Sequence, residues 1–370
     1  VKAVFFVIMV AIFSRGLLAQ SNHVVLITVD GLAAYHLFDS SLEIPNLREL
    51  IRDGVWAQSS ETVFPSMTHP SHTTLITGRR PIAHGVLDNR MHNRVTGETF
   101  HITNRLRSES IKVPTLFDAA KQRGLTTAAF FWPETKGDPA IDFNMEEAFD
   151  DRDQPSAIIF EKPFLKGLLK DSVPVEHYRR YYDDPQLQAV ADVLLAEAAA
   201  MTLRKHRPNL VAIHFLMTDK VQHRYGPAHY LSKAAITHVD RCIGLLREAA
   251  RATGIEARTT FIVAADHGFH SVTQEINLYA VFQEMDLLEH ISLFPDKWAL
   301  HIEMKKTFDP QRHSERLERA LRKVTALPGI AQVIKSDEYP SYGLPRYEAD
   351  PHVRGQVMVL ANIDFHLVAD

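Results

Sequence analysis

Val24-Val25-Leu26-Ile27-Thr28-Val29-Asp30-Gly31 decides the fold. A short run rich in Val and Ile reads as a buried strand of a parallel sheet, here ending in a carboxylate and a turn. Two other runs have the same form. Leu210-Val211-Ala212-Ile213-His214-Phe215-Leu216-Met217 is followed by Asp219 and His223, and Phe261-Ile262-Val263-Ala264-Ala265 runs into Asp266-His267-Gly268. Ligands of open α/β sheets bind just beyond the carboxyl ends of such strands. Three strands thus bring three Asp and two His to one rim, which is the pattern of a metal site.

The rest of the chain alternates in the same style. A helix is expected near Asn46–Asp53, a short one over Pro70–Thr77 closed by Gly78, and another over Leu116–Gln122 ended by Gly124. Thr126–Phe131 reads as a strand, and the stretches Pro185–Lys205 and Ala234–Ala252 as helices. The expectation is a doubly wound, mostly parallel α/β sheet with helices on both faces. Residues 133–184 are rich in acidic, Pro and aromatic residues and read as a cap insertion. Between about 281 and 344, a strand (Trp298–Met304), an amphipathic helix (Ser314–Val324) and a strand (Ile330–Ile334) suggest a small α+β insert. Gly355–Ala361 reads again as a buried strand.

The 370 residues carry a formal net charge of −4 and no long run of one sign, which argues against an electrostatic binder of nucleic-acid polymers. An apolar fraction of 45% provides for a full core. Lys2, the apolar stretch Ala3–Phe13 and Leu17-Leu18-Ala19-Gln20 resemble a secretory signal over residues 1–20. The stretch is shorter than the roughly 18 apolar residues of a spanning helix, so no stable membrane span is expected. The single cysteine, Cys242, leaves no internal disulfide, which is compatible with a bacterial periplasmic location.

Asp219 and His223 stand at i, i+4 spacing, on one face of a helix. Asp266-His267 are adjacent and need a loop to converge on one ion, and Gly268 supplies backbone freedom there. Mixed Asp/His ligation suits zinc, with manganese, iron or cobalt as alternatives. With 20 histidines in the chain, any lone His is by default structural. It is the repetition at three strand ends that marks these. Ser66, Thr68 and Ser71, around the start of the Pro70 helix, offer hydroxyls near free backbone N–H groups and the positive end of a helix dipole. Spacing alone does not separate them, and a helix N-cap is the plain role for Thr68. His69, His72, His84 and His92 are expected to make structural hydrogen bonds.

With these motifs assembled, the chain resembles the alkaline phosphatase superfamily and, within it, the type I nucleotide pyrophosphatase/phosphodiesterase family. The resemblance rests on Thr28-Val29-Asp30-Gly31, Thr68-x-Pro70-x-His72-Thr73-Thr74-Leu75-x-Thr77-Gly78 and His84-Gly85-Val86-Leu87-Asp88-Asn89. It continues through Phe131-Trp132-Pro133, Asp219-x-x-x-His223-x-x-Gly226-Pro227 and Ala265-Asp266-His267-Gly268. It covers most of residues 21–370, as one alkaline phosphatase-like catalytic domain.

The resemblance implies a site for two Zn2+ ions. Asp30, Asp266 and His267 would hold one, with Thr68 as its bound nucleophile; Asp219 and His223 would hold the other. Asn89 would donate to a phosphoryl oxygen. Phe131 and Trp132 are candidates to stack on a base or leaving group of the substrate, with packing between core and cap as the plain alternative. The implied reaction is hydrolysis of a phosphodiester or pyrophosphate bond in a nucleotide-type substrate through a phosphothreonine. The family closes its second zinc site with a His-Gly histidine near the C-terminus. Here no His-Gly follows Ala361, and His366 lacks the glycine, so a C-terminally shortened chain with an incomplete second site is expected. The alternatives are a phosphonoacetate hydrolase-like enzyme and, in another class, an inactive binding protein. The sequence offers no ligand set for a third metal, which disfavours a phosphomonoesterase, and no Cys or Ser in the usual sulfatase motif.

Overall fold

A computed structural model describes residues 23–147, 163–171 and 187–369. The expected signal (1–20) and much of the expected cap (133–184) lie outside the described residues. Five strands, β1 (His23–Val29), β2 (Thr127–Phe130), β3 (Phe143–Met145), β4 (Leu210–Phe215) and β5 (Thr259–Ala264), form one sheet. Their order is β3-β2-β4-β1-β5 and every pairing is parallel. The three runs that end in candidate ligands are thus adjacent, with β1 between β4 and β5. In register, Thr28 faces His214 on one side and Ala264 on the other. Extending the register puts Asp30, Leu216 and Asp266 at one level just beyond the sheet.

The central strands are apolar on both faces because both faces are covered. Val25, Ile27 and Val29 pack with Val211, Ile213 and Phe215 against helices whose lengths follow. These are α1 (Pro45–Asp53), α3 (Gln188–His206) and α5 (Tyr230–Ala252), numbered with α2 (Thr68–Thr77) and α4 (Met217–Tyr225) in chain order. Leu26, Ala129 and Ala212 point to the other face, onto Ile76 of α2, Phe117 and Trp132. Each fully buried Val, Ile or Phe contributes roughly 1.5–3 kcal/mol before chain entropy is charged against it.

β5 departs from the buried strand read from its sequence. It lies at the edge of this sheet, and although Phe261 and Val263 pack inward, Ile262 is 45% exposed. The buried strand expected over 355–361 is Val357–Ala361, and it pairs between Ala299–Met304 and Ile330–Lys335 in a four-stranded antiparallel sheet that also contains Ile291–Asp296. The amphipathic helix Pro310–Thr325 buries Leu317, Ala320, Leu321 and Val324 in the core formed with this sheet. Its other cluster joins Ala299, Ile334 and Met358 to Val86, Leu87 and Met91, the segment that carries Asn89.

Candidate metal centre

Each functional side chain is held by the strand or helix that precedes it. Asp30 follows β1, with its N–H donating to the Phe215 carbonyl at 2.9 Å. The Thr218 hydroxyl donates to the Asp30 carbonyl. Gly31 then turns with φ 67°, where a Cβ would lie 3.1 Å from Gln222 Nε2 and from the Phe269 ring. Only glycine suits both the conformation and the space. The Gln222 amide donates to the Gly31 carbonyl at 2.9 Å, tying α4 to this turn.

Asp266 Oδ1 accepts from the N–H groups of Gly31 (3.2 Å) and His267 (2.9 Å). Its Oδ2 is buried without a hydrogen bond. His267 Nδ1 donates to the Gly268 carbonyl at 2.9 Å, since a carbonyl only accepts. Nε2 is thereby turned to the rim, 3.2 Å from Asp30 Oδ1 and 3.5 Å from Asp266 Oδ2. The three residues assigned to one ion from the sequence thus meet around one atom. Asp219, on the first turn of α4, joins the same group: its ligand atom and those of Asp30 and His267 lie within 4.8 Å of one another. His223 sits one turn on, with Nε2 3.4 Å from Asp219 Oδ1 and its side chain 56% exposed. A second group, His72, His214 and Asp266, is equally close-set and fully buried. The two groups share one rim, with Asp219 beside Asp30, and are consistent with a site for two metal ions close together.

The donor set fits divalent metal. Asp30 Oδ1, Asp219 Oδ1, Asp266 Oδ2 and His214 Nε2 are buried without hydrogen bonds, an arrangement that costs roughly 1–3 kcal/mol per group unless something is bound there. Ligands about 2.1 Å from a tetrahedral zinc lie about 3.4 Å from one another, and the N···O separations above cluster at that value. Electrostatics agree. Burial, and then the Asp219 carboxylate, pushes Asp30 up to about 7. Burial and Asp30 raise Asp266 in turn. Burial alone would lower His267, but Asp266 and Asp30 outweigh it and hold the imidazole at about 9. A proton trapped among carboxylates occupies the place of a stronger cation.

Helix α2 begins at Thr68, with Met67 as its cap, two residues before the expected start. Pro70 is accommodated because first-turn N–H groups have no intrahelical acceptor. Thr68 is half-buried at the head of the helix, and Gly78 closes it at φ 64° with its N–H on the Thr74 carbonyl. The other hydroxyls separate: Ser71 is buried and 3.1 Å from the Thr62 hydroxyl, whereas Ser66 is exposed ahead of the helix. Asn89 Oδ1 accepts from the His69 N–H at 3.0 Å, which leaves its NH2 as the outward donor. The His69 ring pairs with Glu134, which also accepts from Thr73 at 2.9 Å. His84 lies 3.0 Å from the Thr74 hydroxyl, and His92 2.8 Å from that of Thr99.

The stacking role expected of Phe131 and Trp132 is corrected. They are 2% and 0% exposed, in core clusters on opposite faces of the sheet, and neither offers a face to substrate. Trp132 instead meets His72 edge-on, with ring centres 5.0 Å apart. Three contributors escape a sequence reading: His214, hidden in an apolar run, Glu134, and Asp192. Asp192, 1% exposed on α3, accepts from Leu216 N–H (3.2 Å) and Met217 N–H (3.1 Å), so it caps the helix that carries Asp219 and His223. Asp192→Ala is expected to lower unfolding free energy by about 1–3 kcal/mol through two orphaned donors. It should also weaken metal binding by about 10- to 100-fold, as loss of an outer partner does. Denaturant melts and zinc titration measure the two effects, and unchanged zinc affinity would reduce Asp192 to a purely structural cap.

The family model described as type I phosphodiesterase / nucleotide pyrophosphatase matches residues 24–369. The human ectonucleotide pyrophosphatase/phosphodiesterase family member 7 is 26% identical over 257 residues, covering 68% of this chain and 49% of that protein. Human family member 1 is 24% identical over 246 residues, 66% of this chain and 23% of that one. The chain thus spans about half the length of these curated relatives or less. Among solved structures, phosphonoacetate hydrolase from Sinorhizobium meliloti 1021 superposes with a TM-score of 0.71 at 18% identity, covering 95% of this chain and 83% of that chain. Murine ectonucleotide pyrophosphatase/phosphodiesterase 5 gives 0.65 at 18% identity, covering 94% and 81%. These structures share the fold. Among the described residues, no helix is long and apolar enough to cross a membrane.

Proposed function

The chain belongs to the type I phosphodiesterase / nucleotide pyrophosphatase family of the alkaline phosphatase superfamily, and from that premise we propose that it hydrolyses phosphodiester or pyrophosphate bonds of nucleotide-type substrates through a phosphothreonine at Thr68. The observation that carries the reading is the convergence of Asp30, Asp219, Asp266 and His267 on one buried rim. We propose two zinc ions as the metals, with His223 completing the ligand set at the open side. Bound there, metal supplies Lewis-acid stabilisation and makes an oxygen nucleophile acidic enough to attack at neutral pH.

The attack is assigned to Thr68. It stands at the head of α2, where the positive end of the helix dipole favours an oxyanion. Thr68 Oγ1 forms a bond to phosphorus in line with the bond that breaks, and the leaving alcohol or phosphate departs with the electron pair. Attack by water on the opposite side then releases the phosphate monoester, a nucleotide, and a proton from that water restores the Thr68 hydroxyl. Asn89 has its carbonyl end fixed by His69 and its NH2 available to a non-bridging oxygen. Asn89→Ala should lower kcat about 100-fold, the loss of roughly 3 kcal/mol typical of an oxyanion donor, with a smaller change in KM.

The test is an assay of the purified chain on a nitrophenyl nucleotide diester. Turnover that chelator abolishes and zinc restores supports the reading. Hydrolysis of phosphonoacetate with none of the nucleotide diester would move the substrate to phosphonates, the chemistry named for the Sinorhizobium meliloti protein. No zinc uptake and no turnover would make this an inactive binding protein. Export to the periplasm is proposed from residues 1–20 alone.

A further inference from the structure

His214 is not among the ligands expected from the sequence, and its surroundings determine what it can do. It is fully buried on β4, in register with Thr28 of β1. Three polar groups meet there. Thr28 Oγ1 lies 2.8 Å from His72 Nε2 and 3.0 Å from His214 Nδ1, and the two ring nitrogens are 3.1 Å apart. His72 Nδ1 is 2.8 Å from the Thr68 carbonyl oxygen, which only accepts. The His72 proton therefore sits on Nδ1, and Nε2 is an acceptor.

That fixes the second ring. A proton on His214 Nε2 would leave two lone pairs facing each other, with the Thr28 hydroxyl as the single donor between them. A proton on Nδ1 satisfies all three groups, because Thr28 donates to His72 and accepts from His214. The hydroxyl also lies 3.4 Å from the Ile213 carbonyl. Should it donate there, His72 Nε2 needs His214 Nδ1–H all the more. His214 Nε2 therefore carries a lone pair. It makes no hydrogen bond, and it lies 3.3 Å from Asp30 Oδ2. Two buried acceptors at that separation repel unless a cation lies between them, and 3.3 Å matches the roughly 3.4 Å edge of a tetrahedral zinc site.

We propose that His214 Nε2 is a direct ligand of the metal that Asp30 holds, which adds an imidazole from β4 to the set expected from the sequence. The proposal rests on the reading of the rim as a metal centre. His72 in turn is a positioning residue, since its nitrogens are committed to Thr68 and to the Thr28–His214 pair.

The metal-stripped chain is titrated with zinc against a chromophoric chelator, and the zinc-loaded chain is measured by X-ray absorption. His214→Asn keeps an amide near the Nδ1 position and removes Nε2. The expected result is that one zinc binds more weakly by beyond the about 10- to 100-fold that loss of an outer partner costs. The imidazole count per zinc falls, and the melting temperature of the metal-free chain is unchanged. Affinity within about threefold of wild type overturns the proposal, as does weakened binding with an unchanged imidazole count, which would make His214 an outer partner of Asp30. Should His214→Asn not fold, the wild-type imidazole count decides: three imidazoles shared by two ions support the proposal and two overturn it. A wild-type chain that takes up no zinc overturns the metal reading itself, and with it this one.

Discussion

Thr68→Ala is expected to abolish turnover of a nucleotide diester, by on the order of 10⁴- to 10⁶-fold, the loss seen when a covalent nucleophile is removed from an otherwise intact site. Thr68→Ser should retain measurable activity, because it keeps a hydroxyl at the head of α2. Acid quenching during turnover should trap the nucleotidyl phosphoryl group on Thr68 in the wild-type chain and nothing in the alanine variant. An alanine variant that keeps more than about 1% of kcat would point to direct attack by water and remove Thr68 from the chemistry. Neither substitution disturbs the carbonyl through which Thr68 is tied to His72. Both variants should therefore fold and take up zinc, which separates loss of the nucleophile from loss of the site.

Asp30→Asn should have the next largest effect, on metal content and on stability together. The carboxylate of Asp30 faces His267 with one oxygen and His214 with the other. Its replacement by an amide removes the charge that joins the two sides of the rim. Zinc per chain should drop, and activity with it. Zinc at 1,000 times its Kd stabilises a folded chain by about 4.1 kcal/mol, so chelator should lower the wild-type melting temperature and leave that of Asp30→Asn unmoved. The metal-free chains should differ in their response to pH. Burial raises the Asp30 pKa to about 7, so ionisation in the folded chain is opposed. The wild-type metal-free chain therefore loses stability as pH rises from the ordinary carboxylate range towards neutrality, while the asparagine variant is spared that loss. Thermal melts at several pH values, with and without chelator, test both statements. Equal zinc content in the two chains would remove Asp30 from the ligand set.

The α/β fold and much of the rim could be read from the sequence because both have short-range signals. Apolar runs closed by Asp mark strand ends without reference to any partner, and the three that matter turn out to be neighbours. His214 was invisible for the opposite reason. Nothing in Leu210–Phe215 says which way an imidazole in a strand points, and only the pairing with Thr28 places it behind Asp30. Asp192 sits in an Ala-rich helix, and its role depends on the packing of that helix beneath the start of α4. Stacking and core packing of Phe131 and Trp132 cannot be told apart in the sequence, because aromatic residues at a strand end look alike whether they face solvent or core. The edge position of β5 is likewise set by the sheet order and not by its own apolar sequence.

The hydrogen bond from Gly31 to Asp266 joins residues 235 positions apart. No local segment contains the rim, since its parts come from strands that pair in parallel and only over long loops. Closing such loops is slow and must precede any reward from the contacts they bring together. The chain therefore has to complete β4, β1 and β5 before a dication finds more than a fragment of its ligands. Metal arrives as a latch on a finished sheet and not as a template for its assembly. Its kinetic mark should fall on how slowly the chain comes apart and very little on how fast it forms.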